Sequence, residues 1–351
     1  MDSSTFIHDL VAIKSLSGAE TAVAEYLVSV MQELDFVAHV DEAGNAVGSR
    51  ENANEDGNIE RTIIMLGHMD TVPGDIPVRI EDGILHGRGS VDAKGPLATF
   101  VIAAAQAEIP AGTRLVVIGA VEEESATSKG ARYVVDKYQP DWCIIGEPSG
   151  WDGVTLGYKG RILIDYVYRQ SMSHTAGQDG GAAEVGIAWY NGVDQYIQSF
   201  NAEHDKVFDQ LLPSVREIRT GSDGITNSIY IKLGIRLPLH FDVVEFEQDI
   251  RSWAGEAELE FYGHEAAFRN GRSTTLARAF NKVMRQQGIQ PKFKVKTGTS
   301  DMNVVGPVWQ CPIVAYGPGD SSLDHTPEEH LVLDEYLRAI EILKSVLEIG
   351  D

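Results

Sequence analysis

Residues 62–73 read TIIMLGHMDTVP, and this segment gives the clearest indication of the fold class. It begins as a short apolar run bounded by turn residues, which is typical of a strand buried on both faces of a sheet. Two further runs have the same form, TRLVVIG at 113–119 and WCIIG at 142–146. Helical patterns separate the runs, one starting near Pro96 and one at 129–138. This alternation predicts an α/β fold with a largely parallel sheet.

The middle of the chain has a different pattern. Residues 161–169 (RILIDYVYR) alternate like a half-exposed strand, and strand and helix patterns follow in turn until about residue 262. From about Arg272 the first pattern resumes. We therefore predict two domains: a discontinuous α/β domain, residues 1–159 and 267–351, and an inserted α+β domain, residues 160–266.

Local signals predict where the terminal helices begin. Ser17 followed three residues later by Glu20 matches a capping box, which predicts a helix from Ser17 to Leu34. At the other end of the chain, a long helix is expected after Pro327.

Composition and charge exclude several functional classes. The chain has 351 residues, 43% of them hydrophobic, and a net charge of −23. No apolar stretch is long enough for a membrane span. The acidic balance argues against nucleic acid or anionic lipid as the main partner, and it fits either an ordinary solvated surface or a high-salt environment. The two cysteines are interpreted as reduced core residues of a cytoplasmic protein.

Acidic residues and histidines cluster directly after the predicted strands or at helix starts. In open α/β sheets, ligands bind beyond the carboxyl ends of the strands. Each cluster alone has an ordinary structural explanation, as a turn, a cap or a solvated charge run. The five clusters are GHMDTVP (67–73), GRGSVDAKG (87–95), VEEE (121–124), IGEPS (145–149) and DHTPEE (324–329).

Taken together, these clusters supply two histidines and at least three carboxylates. Nitrogen and oxygen ligands of this kind suit zinc or a similar divalent metal. One carboxylate can bridge two ions in a hydrolytic site, and a further glutamate can act as general base. The sequence therefore predicts a two-metal hydrolytic centre.

The same motifs resemble those of the co-catalytic dizinc amidohydrolases, which include aminoacylases, acetylornithine deacetylases and succinyl-diaminopimelate desuccinylases. The resemblance covers essentially the whole chain. It implies two Zn²⁺ per subunit with Co²⁺ as a possible substitute, a homodimer, and an inserted domain that acts as lid and dimerisation domain. The segments VEEESATSKGARY, GEPSGWDGVTLGYKGR and GTSDMNVV are most similar to one branch of this family. That branch releases lysine or ornithine from the C-terminal glutamate of a small acidic amino-group carrier protein in lysine and arginine biosynthesis.

The resemblance also implies a role for each matching residue. His68 and Glu147 would hold one metal ion, Glu124 and His325 the other, and Asp92 would bridge the two.

Two further roles concern catalysis. Asp70 would orient His68, and Glu123 would be the general base. Because three glutamates are consecutive, a second alignment is open, in which Glu122 is the base and Glu123 the ligand.

The resemblance extends to the inserted domain and to one later loop. His174 would stabilise an oxyanion from the partner subunit, and Asn227 and Arg236 would contact substrate. Ser300, with its neighbours Thr299 and Asp301, would lie in a substrate-facing loop.

Several alternatives remain at this point. The protein could be an acetylornithine deacetylase, a succinyl-diaminopimelate desuccinylase or, less in keeping with its complete ligand set, an inactive amino-acid-binding relative. A dinucleotide-binding dehydrogenase is excluded because no G-x-G-x-x-G motif follows the first strand. Lys292, Lys294 and Lys296 alternate on one predicted strand. They could form a docking patch for an acidic carrier protein or an ordinary solvated strand edge.

Overall fold

The computed structural model describes residues 2–172 and 181–349. Within these ranges the α-helices, numbered in chain order, are α1 (Ser3–Ala12), α2 (Thr21–Glu33), α3 (Lys94–Gln106), α4 (Lys129–Val134), α5 (Ala182–Asn201), α6 (Val243–Trp253), α7 (Thr275–Gln286), α8 (Asp301–Trp309) and α9 (Leu333–Leu347).

The strands of the same ranges are numbered in the same way. They are β1 (Val37–Val40), β2 (Ala46–Asn52), β3 (Arg61–His68), β4 (Arg79–Glu81), β5 (Ile84–His86), β6 (Thr113–Ala120), β7 (Trp142–Gly146), β8 (Gly153–Tyr158), β9 (Gly160–Ser171), β10 (Leu212–Ser222), β11 (Thr226–Leu237), β12 (Glu258–Glu265), β13 (Phe268–Arg269), β14 (Lys292–Lys296), β15 (Ile313–Tyr316) and β16 (His330–Val332).

The largest sheet has the strand order β1-β2-β6-β3-β7-β15-β8-β13, with β14 paired to β8. Its centre is parallel, because β3 runs parallel to both β6 and β7, and β15 runs parallel to β7. The flanking pairs β1·β2, β2·β6 and β15·β8 are antiparallel. The predicted α/β fold with a mostly parallel sheet is confirmed.

The chain divides into two compact units. One comprises Met1–Gly157, Arg269–Val295 and Ser300–Asp351, and the other comprises Tyr158–Phe268 and Lys296–Thr299. The sequence places the insertion at 160–266, and this assignment of domains stays a prediction.

The core of the first unit is built around helix α3, whose mostly apolar sequence is buried on every side from Lys94 to Ala104. Leu97, Phe100 and Val101 are at most 1% exposed. The helix packs against β3 and β6 on one side and against α1 and α9 on the other. Complete burial explains why α3 shows no polar face, as expected for a helix between two layers.

The second unit contains a four-stranded antiparallel sheet, with strand order β10-β11-β9-β12. Helices α5 and α6 supply the other half of its core. Tyr166 on β9 stacks on Trp189 of α5, with ring centroids 4.3 Å apart. Such pairs stabilise a core beyond the area that they bury.

Two predicted helix boundaries are wrong. Helix α2 begins at Thr21, and its N-cap residue Glu20 makes no side-chain capping bond. The Ser17 hydroxyl instead donates to Asp70, and the Glu20 carboxylate accepts the N–H groups of Gly18 and Glu122. The C-terminal helix begins at Leu333, since His330–Val332 forms a strand that pairs with β5. Among the described residues, no helix is long and apolar enough to cross a membrane.

Candidate metal centre

Three parallel strands bring the predicted ligands to one edge of the sheet. In the register of β3, β6 and β7, His68 lies opposite Ala120, and Gly67 lies opposite Gly146. The residues that follow β6 and β7 therefore emerge beside His68. A side chain at position 146 would place its Cβ 2.8 Å from the Gly67 Cα atom, so this close approach requires glycine.

Three groups of potential donor side chains overlap at the centre: one joins His68 to Glu123 and Glu124, and the other two share Asp92. Of these two, His68, Asp92 and Glu147 form one, and Asp92, Glu124 and His325 form the other, with the ligand atoms of each group within 4.8 Å of one another. The two oxygens of Asp92 divide between these two groups. Oδ1 lies 3.2 Å from His68 Nε2, and Oδ2 lies 3.0 Å from His325 Nε2. A carboxylate in this position suits a bridge between two ions.

The acidic triplet contributes two of its three side chains to the centre. Glu124 Oε1 lies 3.0 Å from His325 Nε2, and Glu123 Oε2 lies 3.9 Å from His68 Nε2. Glu122 has a left-handed backbone (φ 58°), and its carboxylate accepts the Thr127 hydroxyl at 2.7 Å. This arrangement favours the alignment in which Glu123 and Glu124 are the functional pair.

The carboxylate of Asp70 lies closer to the acidic loop than to the His68 ring. The His68 Nδ1 atom lies 3.0 Å from the backbone carbonyl oxygen of Asp70 and 3.4 Å from its carboxylate. That carboxylate accepts the backbone N–H groups of Glu123 and Glu124, at 3.1 and 3.0 Å, and the Ser17 hydroxyl at 2.7 Å. Asp70 therefore holds the histidine and the acidic loop in one arrangement.

The charged side chains of the centre lie close together and are mostly buried. Burial raises the pKa of Glu123, and the carboxylates of Glu147, Asp301 and Glu124 add to the rise, although His68 opposes it. Hydrogen bonds to Asp92 and Glu124 raise the pKa of His325 to about 10.

The neighbouring carboxylates also change the pKa of His68. Burial lowers the pKa of His68, but its hydrogen bonds to Asp70 and Asp92 outweigh that effect and hold the pKa well above its ordinary value. Positive charge on the histidines thus compensates the clustered carboxylates. Divalent cations held by the same nitrogen and oxygen donors would do so more completely, and their binding would release protons. The residues therefore fit a two-metal site.

Three further predicted site residues make contacts of other kinds within their own units. Ser300 is buried and its hydroxyl caps helix α8 by accepting the N–H of Met302 at 3.2 Å. Arg236 lies on β11 in the second unit, where its Nη1 atom donates to the Thr299 hydroxyl at 2.9 Å. Asn227 is near the start of the same strand, opposite Gln170. Their substrate-binding roles stay predictions.

The predicted oxyanion-stabilising residue, His174, lies outside the described residues. The lysines of β14 lie within them and do not form a free row. Lys292 pairs with Asp152 at 2.6 Å, and the Lys294 ammonium donates to the Ser149 carbonyl at 2.9 Å.

Some residues that no sequence pattern indicated form hydrogen bonds around the centre. The Glu20 carboxylate accepts the N–H of Glu122 at 3.1 Å. Glu329 is fully buried, and its carboxylate receives a hydrogen bond from Arg88 at 2.6 Å. Ser17 and Glu20 had a plausible local explanation as a capping box, and Glu329 stood in a run of acids. Their partners are far away in the sequence, so no local pattern indicates these contacts.

Known proteins resemble this chain along almost its whole length. The family model described as peptidase family M20/M25/M40 matches residues 64–349. The chain is 46% identical over 349 residues to a LysW-lysine hydrolase of Deinococcus radiodurans, covering 97% of this chain and 95% of that protein. It is 27% identical to a LysW-lysine/LysW-ornithine hydrolase of Saccharolobus islandicus, covering 95% of this chain and 94% of that protein.

Solved structures share the fold at lower sequence identity. An M20 family metallo-carboxypeptidase, Sso-CP2 from Sulfolobus solfataricus, superposes with a TM-score of 0.80 at 18% identity, over 99% of each chain. The YXEP protein of Bacillus subtilis, described as a dinuclear metal-binding peptidase, superposes with a TM-score of 0.73 at 14% identity, over 99% of this chain and 96% of that one. On the family match and the 46% identity, the chain belongs to peptidase family M20/M25/M40.

Proposed function

We propose that this protein is a metal-dependent amide hydrolase that releases lysine or ornithine from the C-terminal glutamate of the carrier protein LysW. The observation that carries the proposal is the 46% identity, along almost the whole chain, to a LysW-lysine hydrolase. The donor groups around Asp92 supply the chemistry that such a hydrolase needs.

The proposed cofactors are two divalent ions, Zn²⁺ or Co²⁺. His68 and Glu147 would hold one, Glu124 and His325 the other, and Asp92 both. When bound, such ions polarise the amide carbonyl and lower the pKa of water towards about 7. The proposal is supported by the mixed histidine and carboxylate donors, which suit zinc and cobalt alike.

Glu123 is the proposed general base. Its carboxylate lies at the edge of the donor groups, 3.9 Å from His68 Nε2, and burial raises its pKa. A base with a raised pKa can take a proton from the attacking water and return it to the leaving amine of the released amino acid. Asp70 keeps Glu123 in place through the Glu123 backbone N–H.

The second unit is the proposed lid and dimerisation domain. Arg236 would bind a substrate carboxylate, for which a guanidinium is well suited, and Asn227 would contact the substrate beside it. His174 would stabilise the oxyanion from the partner subunit of a homodimer. Mixing inactive Glu123→Gln and His174→Ala subunits tests this, because a mixed dimer regains one complete site. Restored activity would support shared sites, and its absence in proven mixed dimers would contradict them.

Amino-acid release by the zinc-loaded enzyme tests the function directly. The substrates are LysW carrying lysine or ornithine, with N-acetylornithine and N-succinyl-diaminopimelate for comparison, at low and high salt. We expect release from the carrier far above release from the small amides. Preference for a small amide would contradict the carrier assignment and move the protein to a sister branch of the family. High salt should speed carrier turnover if two acidic surfaces repel each other.

A further inference from the structure

A buried glutamate behind the metal centre bonds the backbone that carries Asp92. Glu329 is 0% exposed. Its Oε1 atom accepts the backbone N–H groups of Val91 and Asp92, at 3.0 and 3.1 Å. The carboxylate therefore fixes the peptide units on which the Asp92 side chain is mounted.

The other oxygen of Glu329 is held by a guanidinium. Arg88 Nη1 donates to Glu329 Oε2 at 2.6 Å, and the Arg88 side chain is only 13% exposed. Arg88 Nε also donates to the carbonyl of Gly74, at 3.2 Å. A buried carboxylate is costly unless it is paired and hydrogen-bonded, and here Arg88 and two backbone N–H groups meet that requirement.

Glu329 also joins the loops that carry the two ligands facing each other across the centre. His325 precedes Glu329 by four residues in one loop, and Asp92 belongs to the other. The backbone carbonyl of Glu329 accepts the N–H of Gly87 at 3.4 Å, and the adjacent strands β16 and β5 pair, with His330 opposite His86. The His325 Nε2–Asp92 Oδ2 separation of 3.0 Å therefore depends on a short connection through Glu329.

We propose that Glu329, held by Arg88, is the positioning residue that sets the Asp92 carboxylate between His68 and His325. The inference rests on the proposed function only in assuming that these residues bind two divalent ions. Residues behind metal ligands typically contribute tenfold to a hundredfold in metal affinity, because they hold the ligand in its binding geometry. Without the Glu329 carboxylate, the hydrogen bonds from the backbone N–H groups of Val91 and Asp92 are lost or weakened.

The test is a titration of the metal-free protein with Co²⁺. Binding is measured by calorimetry and by the visible absorption of bound Co²⁺. Glu329→Gln keeps an oxygen that can accept the two backbone N–H groups. Its amide NH₂ would face the Arg88 guanidinium, and because both groups are donors they cannot bond each other. Arg88→Lys is the second variant, in case the first one folds poorly. Glu328→Gln is the matched control, since Glu328 is the adjacent, exposed glutamate and the charge change is identical.

We expect Glu329→Gln and Arg88→Lys to weaken the affinity for at least one Co²⁺ ion tenfold or more and to alter the Co²⁺ spectrum. Glu328→Gln should match the wild type. A smaller loss of affinity, or an equal loss in Glu328→Gln, would overturn the proposal, even if the melting temperature of the metal-free variant falls. Wild-type protein that binds two Co²⁺ ions but releases no lysine from LysW would refute the proposed function and leave the role of Glu329 standing. The comparison of variants measures Co²⁺ affinity and does not depend on turnover.

Discussion

The carboxylate of Asp70 accepts the backbone N–H of Glu123 at 3.1 Å, although the two residues are 53 positions apart in the chain. Asp70 follows strand β3, and Glu123 follows β6. The bond thus joins the segment that follows the predicted ligand His68 to the loop that presents the proposed base. Its strength comes from the negative charge on the acceptor, since hydrogen bonds to charged groups are stronger than neutral ones.

The Asp70→Asn substitution should reduce turnover because asparagine offers one acceptor oxygen where Asp70 uses both. The loop that carries Glu123 and Glu124 would shift, and a displacement of about 1 Å can cost about a hundredfold in rate. We expect kcat to fall by about that factor, measured on LysW-lysine. Asp75→Asn, an exposed site five residues on, should leave kcat unchanged. Activity of Asp70→Asn within threefold of the wild type would contradict this role.

Replacing the proposed base should stop turnover and spare metal binding. General-base catalysis contributes about 10²- to 10⁴-fold, so we expect Glu123→Gln to lose at least a hundredfold in kcat. Elemental analysis should still find the same metal content as in the wild type. Glu122→Gln is the control, because the Glu122 side chain bonds Thr127. The alternative alignment predicts the reverse, with Glu122→Gln inactive.

Metal removal should lower the thermal stability of the protein reversibly. Ions that bind only the folded state stabilise it by about 2.7 kcal/mol at a concentration one hundred times the dissociation constant. The clustered carboxylates at Asp92, Glu124 and Glu147 would repel one another more strongly without them. Calorimetry with and without chelator should show a lower Tm after chelation and its recovery on adding Zn²⁺. A Tm that does not respond to either treatment would contradict metal binding at this centre.

Buried Lys159 in the second unit should make stability depend on pH. Its ammonium donates to the carbonyls of Val207, Phe208 and Gln210, and burial lowers its pKa to about 8. The unfolded chain has an ordinary lysine pKa of about 10.4. Below pH 8 both states hold the proton. Between these two values the unfolded state binds more protons, so stability must rise with pH.

The Lys159→Met variant should lack this rise. We expect the free energy of unfolding of the wild type, relative to that of the variant, to increase from pH 8 to pH 10 in denaturant titrations. Lys206→Met, which removes an exposed lysine nearby, serves as the control and should run parallel to the wild type. A difference between wild type and Lys159→Met that is constant with pH would contradict the lowered pKa.

The amino-acid pattern alone predicts the parallel sheet and the position of most of the proposed ligands. Short apolar runs predict buried strands, and residues directly after parallel strands must meet at one edge of the sheet. His68 and Glu147 are therefore brought together by chain direction and register alone. Asp92 and His325 follow the same logic less directly, because each lies in a loop and was assigned through its motif.

Which members of the acidic triplet face the centre, and which residues hydrogen-bond their loop, depends on the packing of the folded chain. A run of three glutamates has no periodicity that distinguishes its members, and the left-handed backbone at Glu122 separates them in space. Ser17 and Glu20 satisfy a local capping pattern equally well, yet they bond the site loops. Glu329 reaches Asp92 across 237 residues. Hydrogen bonds of this range depend on how the loops pack, and no local pattern of hydrophobicity or turn residues records that packing.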